Sequence, residues 1–462
     1  MPLSASIIQF LDQHELDYQL TEPLDTPMWH DQQLRNKAAA RATLLEDERE
    51  HVLAIFPADS LLDLAAVNKI LGRNMVAMCP KTLRKLFEKY ELSSIPALPG
   101  LGGLTSIIDQ QLLDRPKLYL DPGSRAQLLE LPQKEFTRLA KQATTGQIAI
   151  PLASLESVIE GDDTSIITNS IKQFTALRVK ERLEETLELP PLPDTAQRII
   201  QLRVNPNADI SDLAHIVETD PSLASQVVSW AASPYYSAPG KIKSIHDAIV
   251  RVLGFDMVLN LSLGLSLGKT LSMPQDGVFG INRYWQQSVY MAAAMEGLVT
   301  AIPRDHRPGF GMAYLSGLVF NFGYLVMAEV FPPYFTKLCR SLEANPHVDH
   351  PQIEKHLLGV TRDHIASWLM ELWNMPEEVV FALRYQNQPD CQGELAAYAK
   401  LLFVARRLLA QRGMPCGPRL EVPAQVYLDL HLDPVKAEAT IDNILESSAE
   451  LEHIASQMAP AA

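Results

Sequence analysis

The sequence predicts an α+β multidomain chain. A mixed α/β domain is expected over residues 1–155, a linker over 156–180, an all-α domain over 181–390 and a helical extension over 391–462. Three observations carry this. At 462 residues the chain exceeds what one hydrophobic core serves, at about 100–200 residues per domain. Short strand-like runs alternate with helix-period stretches through the first third, after which strand signals nearly vanish. Between the two regimes lies Glu160-Gly161-Asp162-Asp163-Thr164-Ser165, a polar run that water solvates readily.

Taken in order, residues 4–14 place apolar side chains at helical spacing. Residues 51–56, ended by Pro57, then 74–78, 106–108 and 117–120 read as short apolar strands, while 60–71 and 81–90 shift to the helical period and put helices between strands. In the second region Asp220-Pro221 supplies an N-cap with proline at the first helical position. Ser244-Ile245-His246-Asp247 resembles a capping box before an apolar run that stops at Gly254. The most apolar stretches, 257–268 and 314–328, fall short of the roughly 20 residues of a membrane span and are interrupted by Asn260 and Asn321, so they are expected as core helices. Residues 395–409 are amphipathic and should pack on the helical core.

Composition narrows the function classes. Apolar residues at 47% and charged residues at 21% argue for packed cores and against global disorder. Forty basic against 55 acidic side chains give a net charge of −15, which excludes a general affinity for polyanions. The imbalance is uneven, net −3 over residues 1–155 and net −12 over the rest, so a polyanion site belongs in the first third if anywhere. Cys79, Cys339, Cys391 and Cys416 are far apart, with no CxxC spacing, and the chain opens without a secretory pattern. Free thiols, most of them buried, and a cytoplasmic location are expected.

The ordered set Thr43-Leu44-Leu45, the strand 51–56, Leu61-Leu62-Asp63-Leu64, Leu71-Gly72 and Ile107-Ile108-Asp109 resembles the YbaK family of aminoacyl-tRNA deacylases over roughly residues 1–150. The resemblance implies a mixed sheet with surrounding helices and hydrolysis of amino acids wrongly attached to tRNA. It also implies a lysine just before Thr-Leu-Leu and a Gly-Gly-x-Ser/Pro loop, where this chain has Ala42 and Ser93-Ser94-Ile95-Pro96. A methyl group supplies no charged donor, and two extra Cβ atoms crowd a backbone that must approach its ligand. Gly100, Gly102 and Gly103 leave a displaced glycine loop open. Lys37 and Arg41 are either replacements for the missing charge or ordinary solvated cations. Lys81, Arg84, Lys85 and Lys89 fall on one helical face, either an RNA-backbone footprint or a solvated face balanced by Glu88 and Glu91.

Residues 189–386 resemble the HDOD domain, the HD-related output domain of bacterial signalling proteins. The matching residues are Leu189-Pro190-Pro191-Leu192-Pro193, the segment 216–223, Ser244-Ile245 through Leu253-Gly254, the segment 313–323, and His364 with Trp373 and Pro376. Metal-dependent HD phosphohydrolases need a His, a His-Asp pair and a further Asp. The corresponding positions carry Gln287 and Phe320-Asn321. No metal site, no cofactor and no hydrolysis are therefore expected. His364 is either a relic of that chemistry or a packed histidine, and His347, Asp349, His350 and His356 read as an exposed polar loop.

Both halves thus resemble enzymes without the residues that chemistry requires. The expectation is a non-catalytic signalling regulator with an HDOD output module, a deacylase-like sensor or docking domain and an unidentified protein partner. Tyr235 and Tyr236, in a short Pro-bounded loop, are the candidate anchors for that partner. The alternatives are a trans-editing hydrolase acting on aminoacyl-tRNA and a nucleotide-binding sensor without turnover.

Overall fold

Strand β3 (His51–Pro57) is apolar at almost every position because both of its faces are covered. Val52, Ala54 and Phe56 join Leu45, Val67 and Ile107 in one core, while Leu53 and Ile55 join Leu44, Phe10 and Leu120 in another. The two cores are the two sides of one sheet, as a side-chain period of two requires. The computed structural model describes residues 3–21, 39–124, 127–155, 191–236, 240–269, 271, 273–274, 280–330 and 332–458. Lys37, the expected linker and Leu189-Pro190 lie outside the described residues. The chain divides into one unit of Met1–Val158 with Arg340–Val348, and a second of Ile159–Cys339 with Asp349–Ala462.

In the first unit the strands run β1 (Gln19–Thr21), β8 (Leu128–Pro132), β7 (Lys117–Leu120), β2 (Ala39–Glu46), β3, β6 (Thr105–Asp109) and β9 (Thr144–Gly146), with β5 (Val76–Ala77) also on β2. The sheet is mixed: β2 is antiparallel to β3 and parallel to β7, and β3 and β9 are parallel to β6. Strands β4 (Ser60–Leu62) and β10 (Ala149–Pro151) form a separate ribbon. The helices are α1 (Ala5–Gln13), α2 (Leu64–Leu71), α3 (Pro80–Tyr90) and α4 (Gln133–Ala140). The helix expected over 60–71 begins only at Leu64, because the Asp63 side chain caps it by accepting the Ala65 amide at 2.9 Å, and 60–62 is strand. Asn345, in the second segment of this unit, accepts the Leu62 amide at 2.7 Å and donates to the Leu62 carbonyl at 3.1 Å.

The second unit is helical among its described residues. Its helices are α5 (Asp194–Arg203), α6 (Ile210–Glu218), α7 (Pro221–Ala231), α8 (Ile245–Ala248), α9 (Phe255–Gly268), α10 (Ile281–Ala301), α11 (Phe310–Leu318), α12 (Phe322–Val330), α13 (Pro332–Ala344, entering the first unit at Arg340), α14 (His350–Leu358), α15 (Arg362–Leu372) and α16 (Glu377–Tyr385). The extension adds α17 (Ala396–Gln411), α18 (Ala424–Asp429), α19 (Pro434–Glu446) and α20 (Ser448–Met458), and α10 packs against α17, α19 and α20. Asp220 and Ser244 cap α7 and α8 by accepting the Leu223 and Asp247 amides at 3.0 Å each. The apolar run around Tyr314 is longer than its sequence suggested: Phe310–Glu329, 20 residues, is long and apolar enough to cross a membrane, yet 83% of its most apolar window is buried inside the protein. It is broken at Val319–Asn321, between α11 and α12. Just after the break a Cβ on Gly323 would lie 2.1 Å from the Arg362 backbone oxygen, so only glycine lets α12 meet α15 there.

Candidate functional site

In the first unit the alternation of β2 decides what each side chain can reach. Ala42 is buried and points with Leu44 into the core that holds Phe10, so its methyl group occupies the position where the resemblance asks for a lysine. Arg41, one residue earlier on the strand, is exposed and points to the opposite face. It cannot replace that lysine. Ser93 and Ser94 are fastened to the turn at 121–124. The Ser93 amide donates to the Gly123 carbonyl at 2.8 Å, the Ser94 hydroxyl to Asp121 Oδ1 at 2.7 Å, and the Gly123 amide to the same Asp121 oxygen at 2.8 Å. These donors are spent within the protein and are not presented to a ligand.

Beside this loop lies a cavity of about 480 Å³ whose wall includes Leu44, Leu53, Leu83, Phe87, Ile95 and Gly102. The displaced glycine segment does reach it: Gly102 adopts φ +63° with nothing within 4 Å of where a Cβ would stand. Helix α3 turns Leu83 and Leu86 toward the cavity and leaves Lys81, Arg84, Lys85 and Lys89 exposed. Among the described residues none of these four is in an ion pair, so Glu88 and Glu91 do not neutralise them by contact. Lys89 Nζ stands 5.1 Å from the centre of the Tyr90 ring, an aromatic at the end of the cationic face.

In the second unit Gln287 on α10 and Asn321 between α11 and α12 meet in the core. Asn321 Nδ2 donates to Gln287 Oε1 at 2.6 Å, and Gln287 Nε2 donates to the Pro415 carbonyl at 2.9 Å. Phe320 is buried, and its carbonyl accepts Gln386 Nε2 at 3.1 Å. The residues expected at the HD positions are thus brought together, as neutral amides that satisfy one another and a loop of the C-terminal extension. Cys416 on that loop is buried, which pushes its thiol up to about 12. Neutral amides, with Gln287 Oε1 already engaged as an acceptor, and a phenyl ring do not fit a divalent cation that activates water. Among the described residues no group of three or more His, Cys, Asp or Glu could hold a metal ion.

Buried charges near Gly323 are internally paired. Arg362 Nη1 donates to Glu354 Oε1 at 2.6 Å and to the Tyr324 hydroxyl at 2.8 Å, while that hydroxyl donates to Glu354 Oε1 at 2.7 Å. Burial pushes Asp363 up to about 6 against the pull of Arg362, and burial pulls His350 down to about 3. No local spacing announces this network, because its members come from α12, α14 and α15.

Residues 189–389 match the HDOD domain and residues 30–139 the aminoacyl-tRNA editing domain. A crystal structure from Marinobacter aquaeolei VT8, of a protein whose name assigns it to signal transduction, is 41% identical over 99% of both chains with a TM-score of 0.87. This chain belongs to the same HDOD-containing family. An HDOD domain protein of unknown function from Geobacter sulfurreducens is 20% identical over 63% of this chain and 99% of its own, with a TM-score of 0.47. An uncharacterized protein of Treponema pallidum (strain Nichols) is 23% identical over 212 residues, and the chain spans 39% of that relative's length.

Most of the remaining candidates make hydrogen bonds within the protein. His364 completes a capping box: the Thr361 hydroxyl caps α15 by accepting the His364 amide at 3.3 Å, and the Thr361 amide donates to His364 Nδ1 at 3.4 Å. Tyr235 and Tyr236 do not project outwards. Both rings are half-buried, stacked edge to face at 5.0 Å, and the Tyr236 hydroxyl accepts Trp230 Nε1 at 3.1 Å and donates to Glu296 Oε2 at 3.4 Å. The expected exposed polar loop at 347–356 is corrected in part: His347, Asp349 and His350 are half-buried and the chain is helical from His350, while His356 is exposed. His347 lies in the first unit with its Nε2 3.0 Å from the Ser60 carbonyl, and Asp349 accepts Arg406 Nη1 at 3.2 Å. The four cysteines are free, but Cys416 alone is buried; Cys79 is exposed and Cys339 and Cys391 are half-buried.

Proposed function

We propose that this protein is a non-catalytic regulator of signalling: the HDOD unit acts by docking a partner protein, and the N-terminal unit serves as a sensor that holds its ligand without cleaving it. The single observation that carries the reading is the Asn321–Gln287–Pro415 chain of hydrogen bonds at the HD positions. The signal-transduction name of the Marinobacter relative supports a regulatory role. In the N-terminal unit, Ala42 and the self-bonded Ser93-Ser94 loop support loss of hydrolysis, while the 480 Å³ cavity beside a cationic helix supports retained binding of an apolar group carried on a polyanion, the chemistry of an aminoacyl-tRNA end.

The test has two arms. Protein purified without added metal should contain no stoichiometric iron, manganese or zinc, and the full chain should release no amino acid from mischarged tRNAs above the buffer rate. A near-equimolar metal lost in Asn321→Ala, or turnover abolished by Lys37→Ala, overturns the reading in favour of hydrolysis.

A further inference from the structure

Helices α15 and α16 are joined through Asn374, whose φ of +53° makes the turn, and on the surface they form a groove of about 570 Å³. Trp368 comes from α15, and Val380, Phe381, Arg384 and Tyr385 form one helical stripe on α16. All five are half-buried rather than covered, so part of each side chain is open to the groove. The Phe381 and Tyr385 ring centres lie 4.5 Å apart, and the Arg384 guanidinium already stands 5.4 Å from the centre of the Tyr385 ring. The Tyr385 ring thus carries a guanidinium of its own chain, and the Trp368 and Phe381 rings are the ones that a partner's cation would meet.

Charge sets the sign of what the groove takes, because its charged lining is two carboxylates, Glu371 and Glu377, against the one guanidinium of Arg384. Glu371 and Glu377 sit on it, both exposed, and among the described residues neither carboxylate has an ion pair or hydrogen bond. Residues 156–462 carry a net charge of −12, so the long-range field also favours a cationic partner. We propose that this α15–α16 groove is the surface by which the HDOD unit docks a partner protein, through a segment that places an arginine beside an apolar residue. The arginine lies against the aromatic wall between the two carboxylates, and the apolar neighbour packs on Val380 and Phe381. Tryptophan, tyrosine and arginine at the centre of a groove are the side chains that dominate protein interfaces.

This inference rests on the docking reading above, and the experiment separates the two. The full chain is titrated with a capped Leu-Arg-Leu-containing heptapeptide and with the same peptide bearing glutamine for arginine, by calorimetry and by tryptophan fluorescence with Trp368→Phe as the assignment control. The arginine peptide should bind roughly tenfold or more tightly than the glutamine peptide, weaken with added salt, and lose roughly tenfold in the exposed double variant Glu371→Gln/Glu377→Gln. Phe381→Ala, checked for an unchanged circular dichroism spectrum, should abolish binding. No binding by the arginine peptide, equal binding of both peptides, or affinity unchanged in the glutamine double variant overturns the groove assignment. If a cognate partner is still captured by the double variant, the docking reading stands and only this surface is wrong.

Discussion

Glu296 shows how one side chain couples the HDOD unit to pH. Burial pushes its carboxyl up to about 7, opposed by the hydrogen bond from Tyr236, and the groups around it, Tyr235, Tyr236 and Tyr314, are all neutral phenols. A carboxyl whose folded pKa is raised holds its proton in the folded state after the unfolded chain has released it. Stability is therefore undiminished below the ordinary carboxyl value of 4.5, falls as pH rises through the window up to about 7, and stays lowered above it. Glu296→Gln should remove this slope and stabilise the protein at pH 8 by roughly 2–3 kcal/mol, read as the difference between variant and parent in urea unfolding at pH 5 and pH 8. Equal differences at the two pH values refute the assignment. Asp363 rises only to about 6 and is unchanged in the variant, so subtraction cancels it. At the same scale, His364 and Tyr236 show why sequence reading leaves such residues open: a polar aromatic near a motif looks free until its hydrogen-bond partner is known, and here those partners include Thr361 and Glu296.

Among the elements, the contact of α12 with α15 is the most exacting. A methyl group on Gly323 meets the Arg362 carbonyl at 2.1 Å, a backbone atom that cannot rotate away. Gly323→Ala should cost about 1–3 kcal/mol or more, seen as a lowered denaturation midpoint with an unchanged slope. A midpoint like that of the parent protein means that the two helices separate more easily than their packing suggests. Helix α3 gives the complementary case, an element whose outer face is not needed for packing, since none of its residues is fully buried. Replacing Lys81, Arg84, Lys85 and Lys89 by glutamine should leave unfolding unchanged. Binding of an aminoacyl-tRNA to the full chain should weaken and lose up to about four units of its logarithmic salt slope. An unchanged slope returns these cations to the role of a solvated face.

For the whole molecule, much of the architecture was legible in sequence because it rests on local rules. Periodicity located α1, α3, α9 and α17 and the strands β3, β6 and β7, while Asp220 and Ser244 marked helix starts through bonds that span three residues. The short elements β8 to β10 and α4 were not anticipated, since three to eight residues carry too few periods to stand out. The absence of HD ligands and of the lysine before Thr43 was likewise readable, because a residue type is a local fact. Tertiary structure alone decided what fills those positions: Asn321 reaches Gln287 across 34 residues of chain and Gln287 reaches Pro415 across 128, distances at which spacing carries no information. It also decided that Arg41 cannot stand in for Ala42, because a strand sends neighbours to opposite faces and only the folded sheet shows which face holds which core. The cavity beside α3 and the groove between α15 and α16 belong to the same class. A concave surface is made by elements meeting, and no single segment of sequence contains one.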